Sequence, residues 1–236
     1  MRILVYTLWR SGTHWLSRML SDITGMEYKF VPGEIDFSPQ AFIDEQGNEF
    51  IMLEHLHEFA WHTHLLTQSE KNDFKIVMLY RDLRDVIVSS IYMRKHVESK
   101  QKGEFRKSFA DMSFDEIFQF EIDTKNDRYL YDVKQWAQLS HPNYLAVKYE
   151  ELKEDTPYYL TKICKHLEIP VNMTQLIEVV EKRSFKVATG RNAGKEDVGS
   201  HDRKGVVGDY KEKLSEEQLQ EIHNRYGEVL KELGYP

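Results

Sequence analysis

Residues 7–15 read TLWRSGTHW and gather the groups that hold an oxyanion. Gly12 lets the backbone turn tightly and present N–H groups. Ser11, Thr13 and His14 add side-chain donors, and Arg10 adds a permanent charge with forked donors. The apolar run ILVY leads in and the amphipathic WLSRMLSDI leads out. The stretch therefore reads as a strand feeding a helix, whose positive end starts near Thr13 and faces the loop. The P-loop pattern GxxxxGKS/T is absent, since this loop has one glycine and no lysine. Trp15 reads either as a core residue or as a flat platform for a base.

Two further segments carry the same kind of chemistry. In FKIVMLYRDLRDVIVSSIYMRK a strand ends at Arg81, and Ser89 follows eight residues later on a helix. Strand C-termini are where open α/β sheets bind ligands. In DRKGVVGDYK, Arg203 and Lys204 stand beside Gly205. Two cations next to a glycine suit a phosphate; the plainer alternative is a solvated charged turn. The histidines at 55, 57, 62 and 64 raise the question of a metal. HEFAWH has one residue too many for HExxH, so no metal site is expected. The single cysteine, Cys164, shares a helical face with Leu160, Ile163 and Leu167 and reads as a buried thiol.

These residues need a framework to position them. The chain has 236 residues, 41% of them hydrophobic and 12% aromatic, enough for a substantial core. Its net charge of −7 argues against bulk attraction to nucleic acid or an anionic membrane, so a polyanionic ligand must be met by clustered cations. No apolar stretch approaches the ~20 residues of a membrane span. No leader pattern opens the chain. A cytoplasmic protein is expected. No repeat or linker interrupts it, and the simplest reading is one domain over 1–236.

Apolar, β-branched runs recur as RILVYT, FIMLEHL, FKIVMLY and NYLAVKY. Helical patterns lie between them at about 13–24, 58–69, 82–97 and 114–139. Continuous apolar strands alternating with helices predict an α/β fold, a parallel central sheet flanked by helices. Helices are expected also at 156–168, 173–183 and 215–233, the last opened by the capping pair Ser215 and Gln218. Residues 98–112 and 186–209 read as irregular binding loops or plain solvated ones.

Taken in order, the three anion motifs resemble those of the sulfotransferases that use 3′-phosphoadenosine 5′-phosphosulfate (PAPS). That family's first signature is close to TYPKSGTTW, here TLWRSGTHW. Its second runs from an arginine to a serine eight residues later, here Arg81 and Ser89, with RDV at 84–86. Its third, RKGxxGDWK, stands here as RKGVVGDYK, and YEELKED at 149–155 is similar to its tyrosine-plus-acid turn.

The resemblance implies a P-loop-kinase-like fold and in-line sulfuryl transfer to a hydroxyl or amine, with 3′,5′-ADP as product and no metal. By motif match, Arg10, Ser11, Gly12, Thr13 and His14 would hold the 5′-phosphosulfate. Trp15 would pack on the adenine, with Tyr149 nearby and Phe185 on the other face. Arg183 stands where the family has threonine. Arg81, Ser89, Arg203, Lys204 and Gly205 would grip the 3′-phosphate. Arg10 replaces the family's lysine and, as a guanidinium that stays protonated, would stabilise charge rather than donate a proton.

His55 falls where the family's general base stands, and the ordinary titration range of an imidazole suits that role. Glu54 and His57 are the alternatives. The acceptor, a small molecule or a sugar, is not readable. Phe37, Phe42, Phe59, Trp61, Phe105 and Phe109 would suit an apolar acceptor if they are not core. Lys100, Lys102, Arg106 and Lys107 would suit an acidic one. The segment KEKLSEEQLQ lacks the Thr-Val of the family's dimer signature, which leaves the oligomeric state open. Two other functions stay in view: a non-catalytic PAPS or 3′,5′-ADP sensor, and a nucleotide kinase, which would want GKS/T and a metal-holding aspartate at a strand end.

Overall fold

The computed structural model describes residues 2–31, 37–55, 59–124 and 127–236, without the side chains at 59 and 127–130. The chain divides into two compact units, each built from two stretches of sequence. The first comprises Met1–Arg81 and Asp132–Ser184, the second Asp82–Tyr131 and Phe185–Pro236.

The first unit contains a five-stranded, wholly parallel sheet. Its strands are β1 (Arg2–Thr7), β2 (Tyr28–Phe30), β3 (Ile51–His55), β4 (Phe74–Tyr80) and β5 (Tyr144–Lys148), in the order β2-β3-β1-β4-β5. Successive β1 side chains take opposite faces, and both faces are apolar. Ile3 and Val5 join Leu16, Met19 and Leu20 of α1 (Thr13–Thr24) in one core cluster. Leu4 and Tyr6 join Met52, Ile76, Met78 and Trp136 in another. Burial on both faces explains why the strands read as continuous apolar runs rather than alternating ones.

α2 (His62–Lys71) adds Leu65 to the second cluster. In the second unit, α3 (Leu83–His96) packs against α5 (Phe114–Thr124), and α4 (Glu104–Ser108) lies between them in sequence. Arg94 of α3 pairs with the buried Glu121 of α5 and lies 5.0 Å from the ring centroids of both Phe109 and Phe120. The helix expected over 114–139 is two helices, α5 and α6 (Asp127–Gln138). The helix expected over 58–69 starts later, at His62, after a 3-10 turn at Phe59–Trp61.

Returning to the first unit, β5 runs directly into α7 (Tyr149–Glu154). α8 (Thr156–His166) and α9 (Met173–Lys182) complete its first core cluster with Leu160, Ile163, Cys164, Leu176 and Val179. Cys164 is fully buried, and burial pushes its thiol up to about 11, so it is an inert core residue.

The second unit continues with α10 (Phe185–Thr189), α11 (Tyr210–Lys213) and α12 (Glu216–Glu232). Ser215 and Gln218 form the expected capping box at the start of α12. Strand β2 was not foreseen, because three residues are too short to show a period and only pairing with β3 makes them a strand. Phe37, Phe42 and Phe109 are buried core side chains, the alternative that the sequence left open for them.

Candidate active site

β1 is the middle strand, with β3 on one side and β4 on the other. This is the switch point of a parallel sheet, where the chain leaves in opposite directions and a crevice opens at the strands' carboxyl ends. Four strand ends deliver the candidate residues of the first unit. β1 ends at Thr7 and gives way to the loop 8–12, β3 ends at His55, β4 is followed by Arg81, and β5 by Tyr149. The register sets Thr7 opposite both His55 and Leu79.

The loop is held by its own backbone. Leu8 N–H donates to the Leu79 carbonyl at 3.0 Å, and Ser11 N–H to the Leu8 carbonyl at 3.2 Å. Gly12 and, unusually for a residue other than glycine, Arg10 take left-handed backbone, with φ of 89° and 66°. A non-glycine residue there costs about 1 kcal/mol or more and marks sites shaped for a task. Gly12 is the N-cap of α1 and no side chain caps it, the arrangement that leaves first-turn N–H groups for an anion. The Ser11 hydroxyl is fully buried and has no hydrogen-bond partner among the described residues. Thr13 donates its hydroxyl to that of Thr7 at 2.8 Å, and His14 is exposed.

Arg81 and Tyr149 close over this loop. Arg81 Nη1 donates to the Arg10 carbonyl at 3.3 Å, and its guanidinium lies 4.6 Å from the Tyr149 ring centroid. Trp15 is half-buried against the first core cluster, 6.1 Å from Tyr149 between centroids. Its Nε1–H donates to the Arg183 carbonyl at 3.0 Å. The Arg183 side chain grips Asp22 of α1 with two hydrogen bonds of 2.5 and 2.8 Å. The arginine that departs from the family thus ties α9 to α1 and fixes the indole through its carbonyl.

His55 is half-buried between two aromatic rings, with centroids 6.1 Å away at Trp9 and 5.1 Å away at Phe30. Both rings are substantially exposed, Trp9 by 38% and Phe30 by 49%. Glu54 is buried, and strand alternation sends it to the opposite sheet face from His55. Its Oε1 accepts from the His55 N–H at 2.8 Å, and burial raises its pKa. His57 lies outside the described residues.

The remaining candidates belong to the second unit. Ser89 is on α3, and Tyr92, one turn on, carries the Arg203 guanidinium 4.2 Å from its ring centroid. Arg203 pairs with Glu196 and Asp209, and Lys204 with Asp209 and Glu212, each at 2.6 Å. Gly205 has φ 67°, and a Cβ there would overlap the Phe185 ring.

Four residues near these sites were given no part by sequence reasoning. Asp85 of the RDV triplet is buried and accepts from the N–H groups of Gly208, at 2.8 Å, and Tyr210, at 3.1 Å, pinning the third motif to α3. Arg191 donates to the carbonyls of Lys195, Asp202 and Arg203 and orders the glycine-rich loop. Lys153 stands over Trp15, 5.1 Å from its centroid. Trp9 flanks His55. Asp85, Trp9 and Lys153 each lie inside a quoted motif, but residue type alone did not show what they touch.

The sequence pattern of the sulfotransferase domain family matches residues 1–234. The chain belongs to the sulfotransferase family. This sulfotransferase is 24% identical to a guinea pig (Cavia porcellus) 3-beta-hydroxysteroid sulfotransferase, over 96% of its own chain and 82% of the relative. It is 23% identical to a rabbit (Oryctolagus cuniculus) amine sulfotransferase, over 98% and 81%. Its fold matches a mouse sulfotransferase crystallised with PAP, with a TM-score of 0.68 at 20% identity over 97% of this chain and 83% of the other. It also matches retinol dehydratase in complex with androsterone and inactive cofactor PAP, with a TM-score of 0.67 at 18% identity over 98% and 80%. Among its described residues, no helix of the sulfotransferase is long and apolar enough to cross a membrane.

Proposed function

We propose that this sulfotransferase takes its sulfuryl group from PAPS and delivers it to a hydroxyl or amine of a small-molecule acceptor in the cytoplasm. The observation that carries the reading is the pairing of β1 and β3. It sets His55 at the strand end opposite Thr7, beside the loop that Arg10 to His14 form. The loop fits the donor, with a buried Ser11 hydroxyl lacking a partner among the described residues, a glycine at the turn and a helix start without a side-chain cap. PAPS, when bound, supplies an electrophilic sulfuryl group and a phosphate leaving group. Relatives are a 3-beta-hydroxysteroid sulfotransferase and an amine sulfotransferase, and structural neighbours hold PAP, which supports the same donor and acceptor classes here.

The protein's part is positioning and charge. His55 accepts the acceptor's proton at an imidazole nitrogen. Arg10 and the loop N–H groups stabilise the charge that grows on the leaving phosphate, as a metal does in kinases. Arg10 keeps its proton throughout, so this stabilisation is electrostatic. In the first unit, Arg81 serves the 3′-phosphate and Trp15 and Tyr149 serve the adenine. Ser89, Arg203, Lys204, Gly205 and Phe185 keep the roles their motifs give them. Trp9 and Phe30, exposed beside His55, offer apolar walls to the acceptor. The test is transfer from sulfur-labelled PAPS to phenols, alcohols, amines and sugars. Label in a hydroxyl or amine product supports the reading. A protein that binds 3′,5′-ADP yet labels nothing across the panel would favour a sensor.

A further inference from the structure

We propose that Arg191 is a positioning residue for the nucleotide's 3′-phosphate, setting the backbone from which Arg203, Lys204 and Gly205 meet it. The proposal rests on the PAPS reading above.

Arg191 follows Gly190, whose φ of 70° turns the chain after α10. Its guanidinium lies at the base of the glycine-rich loop and donates to both limbs. Nη1 donates to the Lys195 carbonyl on one limb and to the Arg203 carbonyl on the other, each at 2.7 Å. Nη2 donates to the Asp202 carbonyl at 2.6 Å. The first limb adds two backbone bonds, from Asp197 N–H to the Arg203 carbonyl at 3.0 Å and from Gly194 N–H to the Lys204 carbonyl at 2.9 Å. Three consecutive carbonyls, those of Asp202, Arg203 and Lys204, are thereby held, and the Arg203 carbonyl is held twice.

The same guanidinium stands 5.2 Å from the Phe185 ring centroid. That ring packs so closely on Gly205 that a Cβ there would overlap it. Arg191 therefore reaches the third motif directly, at its carbonyls, and through Phe185, at its glycine. The segment needs such a tie. Glycines at 190, 194, 199, 205 and 208 give it wide backbone freedom. Arg203 and Lys204 carry long side chains, so a small tilt of their backbone displaces both charged tips. A binding constellation works when its supporting groups hold it to within about half an ångström. The planar fork of an arginine sets two neighbouring carbonyls in fixed relation, which the point charge of a lysine does not.

The competing explanation is that Arg191 only keeps the loop folded. Its loss would then lower the competent fraction of the protein and weaken every nucleotide by the same factor. Loss of positioning falls instead on ligands that carry the 3′-phosphate. Calorimetric dissociation constants of the full chain for 3′,5′-ADP and 5′-AMP separate the two. We expect Arg191→Met to weaken 3′,5′-ADP by roughly tenfold and 5′-AMP by less than about threefold. Arg191→Lys, which keeps the charge without the fork, should lose nearly as much discrimination. Arg191→Gln carries the same test should the methionine variant fail to fold. Unchanged affinity for 3′,5′-ADP, an equal loss for both ligands, or wild-type discrimination in Arg191→Lys would overturn the assignment. A wild-type protein that does not prefer 3′,5′-ADP to 5′-AMP would overturn the donor reading, and the Arg191 assignment with it.

Discussion

A Cβ atom on Gly12 would stand 2.7 Å from Cε2 of Tyr149. Real Cβ contacts are never that close, and the neighbour is a buried ring rather than a flexible chain end. The glycine of the first motif and the tyrosine of the YEELKED segment therefore specify each other. Gly12 also has a φ of 89°, which an L-residue adopts only under strain. Gly12→Ala should lower stability by roughly 1–3 kcal/mol and abolish tight binding of 3′,5′-ADP. A wild-type melting temperature and dissociation constant would contradict this account of the loop.

The carboxylate of Asp85 performs a comparable service in the second unit. It is 1% exposed and accepts from two backbone N–H groups of the third motif, those of Gly208 and Tyr210. Removing it leaves both donors without that partner. Asp85→Ala should cost about 2–4 kcal/mol in a denaturant titration. Its binding of 3′,5′-ADP should weaken as well, because Arg203 to Gly205 lose their anchor. Loss below about 1 kcal/mol would show that the motif holds its shape without Asp85.

Asp22 gives a pH-dependent prediction. The Arg183 hydrogen bonds are the main reason its carboxyl is lowered to about 2, and its side chain is 13% exposed. The folded pKa lies below the unfolded one. The resulting stability is therefore present above about pH 4 and lost as the pH falls toward 2. Asp22→Asn should destabilise the protein by roughly 1–2 kcal/mol at pH 7, with the gap to wild type closing below pH 4. Denaturant midpoints at pH 7 and pH 3 check this, and a gap that is constant with pH would refute it.

The sheet was legible because its strands are buried on both faces and so appear as four unbroken apolar runs. β2 was not, since Tyr28–Phe30 exists as a strand only through its pairing with β3. The strand, loop and helix around 7–15 were legible because an apolar run, a glycine and an amphipathic run follow one another there. The part played by Asp85 was not, because a carboxylate looks the same in sequence whether it binds solvent or backbone. Trp9 and Phe30 escaped notice for a related reason. They flank His55 through strand ends that are far apart in sequence, whereas Phe37 and Phe42, nearer in sequence, are core.

His55 separates catalysis from binding. It lies at the end of β3 between Trp9 and Phe30, and the hydrogen bond from Arg81 to the Arg10 carbonyl does not involve it. His55→Ala should lower the rate of sulfuryl transfer by about 100-fold or more while leaving the dissociation constant for 3′,5′-ADP within about twofold. Full activity in this variant would move the base to Glu54 or His57.

The central claim is that the protein is built for a nucleotide carrying a 3′-phosphate. The most direct measurement is calorimetric binding of 3′,5′-ADP and of ATP to the same preparation without added metal. The account predicts that 3′,5′-ADP binds at least about 100-fold more tightly, a difference near 2.7 kcal/mol, and that Arg81→Ala erases most of the difference. Equal affinities for the two nucleotides, or an Arg81→Ala variant that discriminates as well as wild type, would contradict it.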